Sequence, residues 1–136
     1  MSEQDNLHIV QRIYQAIVEG DISTRLRLVT DDFDLTFFGS EKIPWAGRWR
    51  GKDGAGRFLG TIADALEFQV FSPDEFIAAG NNVIVLGHER CRVRATGKVV
   101  NTSWAHVWTV RAGLICRHLE YSDTAAWEAG FDASDV

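Results

Sequence analysis

The stretch VVNTSWAHVWTVRAGLICRHLEYS, residues 99–122, decides the reading of this chain. Two runs of alternating apolar character, 99–110 and 114–122, flank Arg111-Ala112-Gly113, the pattern of a β-hairpin. A loop of these three residues, with Gly113 in the left-handed position, pairs Val110 with Leu114. His106 then opposes His118, and Trp104 opposes Glu120. Period-two alternation places Trp104, His106, Trp108, His118, Glu120 and Ser122 on one face. Ser103, Ala105, Val107 and Thr109 share the other with Ile115, Leu119 and Tyr121. The second set is the blander, core-like one. The first mixes aromatic walls, two imidazoles and a carboxylate, which is what a binding cavity needs. A two-residue turn would instead separate His106 and Glu120 onto opposite faces, so the expected site depends on this register.

Upstream of the hairpin, residues 67–71, 75–79 and 83–94 also read as strands, separated by Ser72-Pro73-Asp74, Gly80-Asn81-Asn82 and Thr96-Gly97. The N-terminal part is helical instead. Leu7, Val10, Ile13, Tyr14 and Ile17 fall on one stripe of a helix over 5–18, and Gly20 is placed to end it. A short helix carrying Ile22, Leu26 and Val29 follows, then a strand over 33–38 and a long loop over 39–53. Asp53 is the expected N-cap of a third helix carrying Ala55, Phe58, Leu59, Ile62 and Leu66. Residues 124–128 read as one last helical turn. Helices first and a meander of long strands last predict an α+β domain spanning 1–136, with a curved antiparallel sheet closed by the helices around a pocket.

At 136 residues the chain is long enough for a core without staples, and 46% hydrophobic with 24% charged is an ordinary globular composition. A net charge of −5 gives no footprint for nucleic acid. The two cysteines, Cys91 and Cys116, sit inside apolar strand patterns and read as small buried hydrophobes. The N-terminus lacks the apolar core of a signal peptide, and no run approaches membrane-spanning length. No nucleic-acid or membrane partner is therefore expected, and a cytoplasmic location is the default.

Three segments carry a resemblance: Ile13-Tyr14-Gln15-Ala16, Pro44-Trp45-Ala46-Gly47 leading into Arg50-Gly51-Lys52-Asp53, and Leu119-Glu120-Tyr121-Ser122-Asp123-Thr124-Ala125-Ala126. In their order and spacing the chain resembles the NTF2-like superfamily, and within it the SnoaL-like polyketide cyclases and the ketosteroid isomerases. The resemblance implies the NTF2-like cone fold and a homodimer. It matches Tyr14 to a pocket tyrosine. His106 lies where cyclase-like members carry a histidine and isomerases a protonated aspartic acid. Glu120 lies where cyclases and epoxide hydrolases place a catalytic aspartate. Two departures count against particular activities. Phe37 occupies the place of the isomerase base, and Arg90-Cys91-Arg92 lacks the acid of the epoxide-hydrolase Arg-x-Asp pair. His106, His118 and Tyr14 also echo scytalone-dehydratase-like enzymes.

The expected chemistry is cofactor-independent proton transfer on a small apolar carbonyl compound, cyclase- or isomerase-like. Glu120 and His106 share the proton transfer, Tyr14 donates to the developing enolate oxygen, and His118, or His106 in its donor tautomer, supplies a second hydrogen bond. Trp104, Trp108, Phe37, Asp32, Trp45 and Arg90 are the expected substrate contacts. The alternatives are a non-catalytic binding or dimeric interaction domain, and a dehydratase. His106, His118 and Glu120 form an allowed zinc set, but β-pair spacing is not specific for a metal and none is expected.

Overall fold

A computed structural model describes residues 2–134. The first helix, α1 (Glu3–Glu19), is opened by a capping box in which Ser2 and Asp5 satisfy each other's backbone N–H groups. Gly20, at φ 70°, closes it in the left-handed region. The stripe buries Val10, Ile13 and Tyr14. A single turn and a half, α2 (Ile22–Arg27), is capped by Asp21. It leads into β1 (Val29–Phe37), so Val29 opens a strand rather than finishing a helix.

The stretch expected as a loop over 39–53 contains the short strand β2 (Gly47–Arg50) and the start of α3 (Gly51–Ala65). Arg50, not Asp53, holds the N-cap position, without a side-chain bond; Asp53 lies in the first turn. Then come β3 (Leu66–Ala79), β4 (Asn82–Val93), β5 (Val99–Arg111), β6 (Leu114–Ser122) and α4 (Thr124–Phe131). Pro73 does not split β3 in two. It sits on an edge strand, where a missing N–H is tolerated, and the register shifts between Pro73 and Glu75.

The six strands form one sheet in the order β2-β1-β6-β5-β4-β3. The sheet is mixed, not wholly antiparallel, because β1 runs parallel to β6, with Phe37 beside Glu120. The helices cover its concave face, the α+β arrangement expected from the sequence.

The β5–β6 turn also departs from expectation. Arg111 pairs with Leu114 across a two-residue turn. Ala112 and Gly113 have φ of 50° and 85°, the positive pair that a type I′ hairpin requires. Alone, that turn would turn Glu120 outward. The register then shifts between Val110↔Ile115 and Thr109↔Arg117, leaving Cys116 as an extra residue. The bulge restores the parity. His106 pairs with Glu120, Trp108 with His118 and Trp104 with Ser122. Ile115 moves to the inner face, fully buried. The face carrying Trp104, His106 and Trp108 is the buried one, and the Ala105–Val107 side is the half-exposed convex face.

Gly87 lies opposite Trp104 on β4. A Cβ there would sit 2.3 Å from the indole and 2.4 Å from the Ser72 carbonyl oxygen. The missing side chain is what lets Trp104 lie flat against the sheet.

Candidate functional site

Four side chains from α1, β5 and β6 form one hydrogen-bonded chain. Trp108 Nε1 donates to the Tyr14 hydroxyl at 2.8 Å. That hydroxyl lies 2.6 Å from His106 Nδ1. His106 Nε2 lies 2.9 Å from Glu120 Oε1. An indole N–H can only donate, so the Tyr14 oxygen accepts, and its own proton is left for His106 Nδ1. Burial holds the Tyr14 hydroxyl well above its ordinary pKa, so that proton stays in place. In the neutral ring, His106 therefore carries its hydrogen on Nε2 and donates it to Glu120.

Aromatic stacking fixes the rings. Trp104 stacks on His106 with centroids 3.9 Å apart, and Trp108 stacks on His118 at 3.5 Å. Burial, then the neighbouring His106 and Arg25, hold the His118 pKa well below its ordinary value, so this imidazole is neutral. Its Nε2 has no hydrogen-bond partner among the described residues.

These groups border a cavity of about 640 Å³ between the sheet and the helices. Glu120, His106, His118, Trp104, Phe37 and Trp45 all line it. Tyr14 and Trp108 do not; they back the wall and hold His106. The tyrosine hydroxyl is already committed to Trp108 and His106, which leaves it placed to position His106 rather than to meet a substrate oxygen. Asp32 and Arg90 are corrections. Asp32 lies within β1 and faces solvent, two-thirds exposed and paired with Arg111 at 2.7 Å. Arg90 is exposed and donates to Gln69 Oε1 at 2.7 Å. Alternation sends it outward, away from the cavity.

Besides the half-exposed pair Glu67 and Arg94, two ionisable groups that line the cavity escaped the sequence reading. Glu89 lines it beside Phe71 and Trp104. Burial, reinforced by the charge of Glu120, pushes its carboxyl pKa up to about 8, so at neutral pH it mostly keeps its proton. The signal was present: Val83, Val85, Gly87, Glu89, Cys91 and Val93 share the inward parity of β4. Arg25, on α2, is the second. Burial lowers its pKa to about 10, with Glu120 opposing that shift, so it remains a cation.

The donor atoms of His106, His118 and Glu120 lie within 4.8 Å of one another, close enough for a metal ion. The hydrogen-bond chain opposes one. Coordination through His106 Nε2 would move its hydrogen to Nδ1, against the Tyr14 proton that Trp108 directs there. The Arg25 cation, which acts on both His118 and Glu120, would repel a second positive charge.

The family model for the SnoaL-like domain matches residues 10–118. The chain belongs to the SnoaL-like family. An NTF2-like protein from Burkholderia xenovorans is similar to this SnoaL-like chain at 30% identity, with a TM-score of 0.89 over 97% of this chain and 99% of the other. An NTF2-like protein of unknown function from Burkholderia pseudomallei is 27% identical, with a TM-score of 0.82 over 92% and 94%. TerC, co-crystallised with polyporic acid, is 24% identical with a TM-score of 0.83 over 93% and 98%, a likeness of fold. No curated protein gives a significant match. Among the described residues, no helix of this SnoaL-like domain is long and apolar enough to cross a membrane.

Proposed function

We propose that this protein is a cofactor-independent enzyme that moves a proton next to the carbonyl of a small apolar compound, in the manner of a cyclase or isomerase. The observation that carries the reading is the Trp108–Tyr14–His106–Glu120 chain, which ends on a carboxylate at the wall of an apolar cavity. Glu120 takes the proton from the carbon beside the carbonyl, and His106 holds the carboxylate in place. The developing enolate oxygen needs a donor, and Tyr14 is occupied. Glu89, holding its proton in the same cavity, supplies it. Returning the proton from Glu120 to a different carbon completes an isomerisation. Attack of the enolate carbon on a second carbonyl completes a cyclisation, with Glu89 protonating the new alkoxide.

The cavity mouth supports an apolar ligand. Val18, Ile22 and Phe68 line it and remain largely exposed, as they would where an apolar molecule enters. A fold relative co-crystallised with polyporic acid is in keeping with such a ligand. The test is exchange of the α-hydrogens of 2-tetralone in deuterium oxide, followed by NMR. The protein is expected to accelerate exchange, and Glu120→Gln to abolish the acceleration while retaining ligand binding. If Glu120→Gln and His106→Ala exchange as fast as the wild type, the enzyme reading fails and the cavity is a binding site only.

The convex sheet face supports a homodimer. Two adjacent rungs carry apolar side chains outward: Ile77-Ile84-Val107-Leu119 crosses β3 to β6, and Leu86-Ala105-Tyr121 crosses β4 to β6, with Glu75 in its β3 place. Light scattering should give twice the 15.2 kDa chain mass. A monomer at micromolar concentration would overturn this assignment.

A further inference from the structure

The Arg25 guanidinium lines the cavity with many apolar side chains, within electrostatic reach of His118 and Glu120. Ile17 and Ile22 on the N-terminal helices and Phe58 and Ile62 on α3 line the same space. No hydrogen bond or ion pair engages the Arg25 side chain among the described residues. Elsewhere in the chain, arginines such as Arg48, Arg92 and Arg111 rest against carboxylates. Inside the cavity no carboxyl takes that role: of the three that line it, Glu67 pairs with Arg92 and Arg94. Glu120 directs Oε1 to His106 at 2.9 Å, and Glu89 is largely neutral at pH 7. A desolvated cation without a hydrogen-bonded counter-ion is costly in such surroundings, and the cost is relieved when a ligand brings an anionic oxygen. The planar fork of a guanidinium suits a carboxylate or an acidic enolate, which it can bind through two parallel hydrogen bonds.

We infer that Arg25 sets the substrate class: the ligand is a flat apolar compound bearing an anionic oxygen, and Arg25 holds that oxygen while the apolar body lies against the aromatic wall. This deepens the proposed function by naming its substrate class, and it rests on the cavity being the ligand site, not on turnover. The geometry orients the ligand as well. Arg25 comes from α2 and Glu120 from β6, and the two charges act on each other across the cavity, so the anionic end and the acid/base pair approach the ligand from different elements.

The experiment compares binding of 2-naphthoate and its neutral isostere 2-naphthamide by calorimetry at pH 7. Wild type is expected to prefer the anion about tenfold or more. Arg25→Gln should remove that preference while leaving naphthamide affinity unchanged, which also shows that the cavity is intact. Arg25→Lys should retain part of it, since the charge remains and the fork is lost. Glu120→Gln, which tests proton transfer, should keep or increase the preference, so failure of catalysis and failure of this inference read out separately. Equal affinities in the wild type, no measurable binding of 2-naphthoate, or a preference that survives in Arg25→Gln would each overturn it.

Discussion

Replacing Glu89 by Gln should stabilise this protein, and increasingly so as pH rises. The Glu89 carboxyl goes from an ordinary 4.5 to about 8 on folding, chiefly through burial, with the Glu120 charge adding to it. The Cys91 thiol, 3.9 Å from Oε1, offsets only part of this. Below pH 4.5 both folded and unfolded chains carry the proton, and the group contributes nothing. Between pH 4.5 and 8 the unfolded chain has released it while the folded one retains it. The folded state then binds more protons, so stability falls as pH rises through that window. A shift of this size corresponds to about 5 kcal/mol, an upper bound because water entering the cavity screens the carboxyl. Gln keeps the shape and does not titrate. Urea denaturation from pH 4 to 8.5 is expected to show Glu89→Gln near the wild type at pH 4 and about 2 kcal/mol or more above it at pH 8. Parallel pH curves for the two proteins, or a wild type that gains stability from pH 5 to 7.5 on account of this residue, would refute the reasoning.

Three further outcomes are expected. Tyr14→Phe strands the buried Trp108 N–H and frees His106 Nδ1. It should cost about 1–3 kcal/mol in denaturant, and nitrogen NMR should show the His106 tautomer shifting, which loss of packing alone would not produce. Gly87→Ala forces a Cβ against Trp104 and the Ser72 carbonyl, and should destabilise by about 3 kcal/mol while changing the tryptophan fluorescence. Ala112→Asn relieves a left-handed alanine at the first turn position and should raise stability by about 1 kcal/mol, a Tm gain of about 4 °C by calorimetry.

Much of the inner wall was legible because alternation alone assigns it. Trp104, His106, Trp108, His118 and Glu120 face inward together, as period two predicts. Their pairing was not legible, because two departures cancel. The I′ turn removes one loop residue, Cys116 adds one to β6, and neither carries a sequence mark: Ala112 is an unusual turn residue, and a bulge at a cysteine looks like any strand position. The parallel contact of β1 with β6 joins residues about eighty positions apart, where no local pattern reports. Glu89 was within reach of the same alternation, since it shares the parity of Val83, Val85 and Cys91 on β4. Arg25 was not. A six-residue helix has no apolar stripe long enough to fix its direction, so only packing against α1 and α3 aims that side chain inward.

The cavity separates the tasks that the sequence assigned to a single cluster. A tyrosine near a histidine and a carboxylate suggests a phenol that donates to the substrate. The indole of Trp108 changes that, because a donor-only group must be given the Tyr14 oxygen and so sends the phenol proton to His106. Orientation of the base then belongs to α1 and β5, and donation to the substrate falls to a group that keeps its proton for another reason. Glu89 meets that condition through burial and the nearby charge of Glu120, and Glu120 can remain the proton acceptor because His106 donates to it. In the proposed reaction Glu89 and Glu120 thus take opposite roles from their surroundings. Phe37 in place of an acid on β1 fits the proposed division: with Glu120 on β6 as the proposed acceptor and Glu89 on β4 as the proposed donor, an apolar wall on β1 would leave the substrate carbon in contact with one base only.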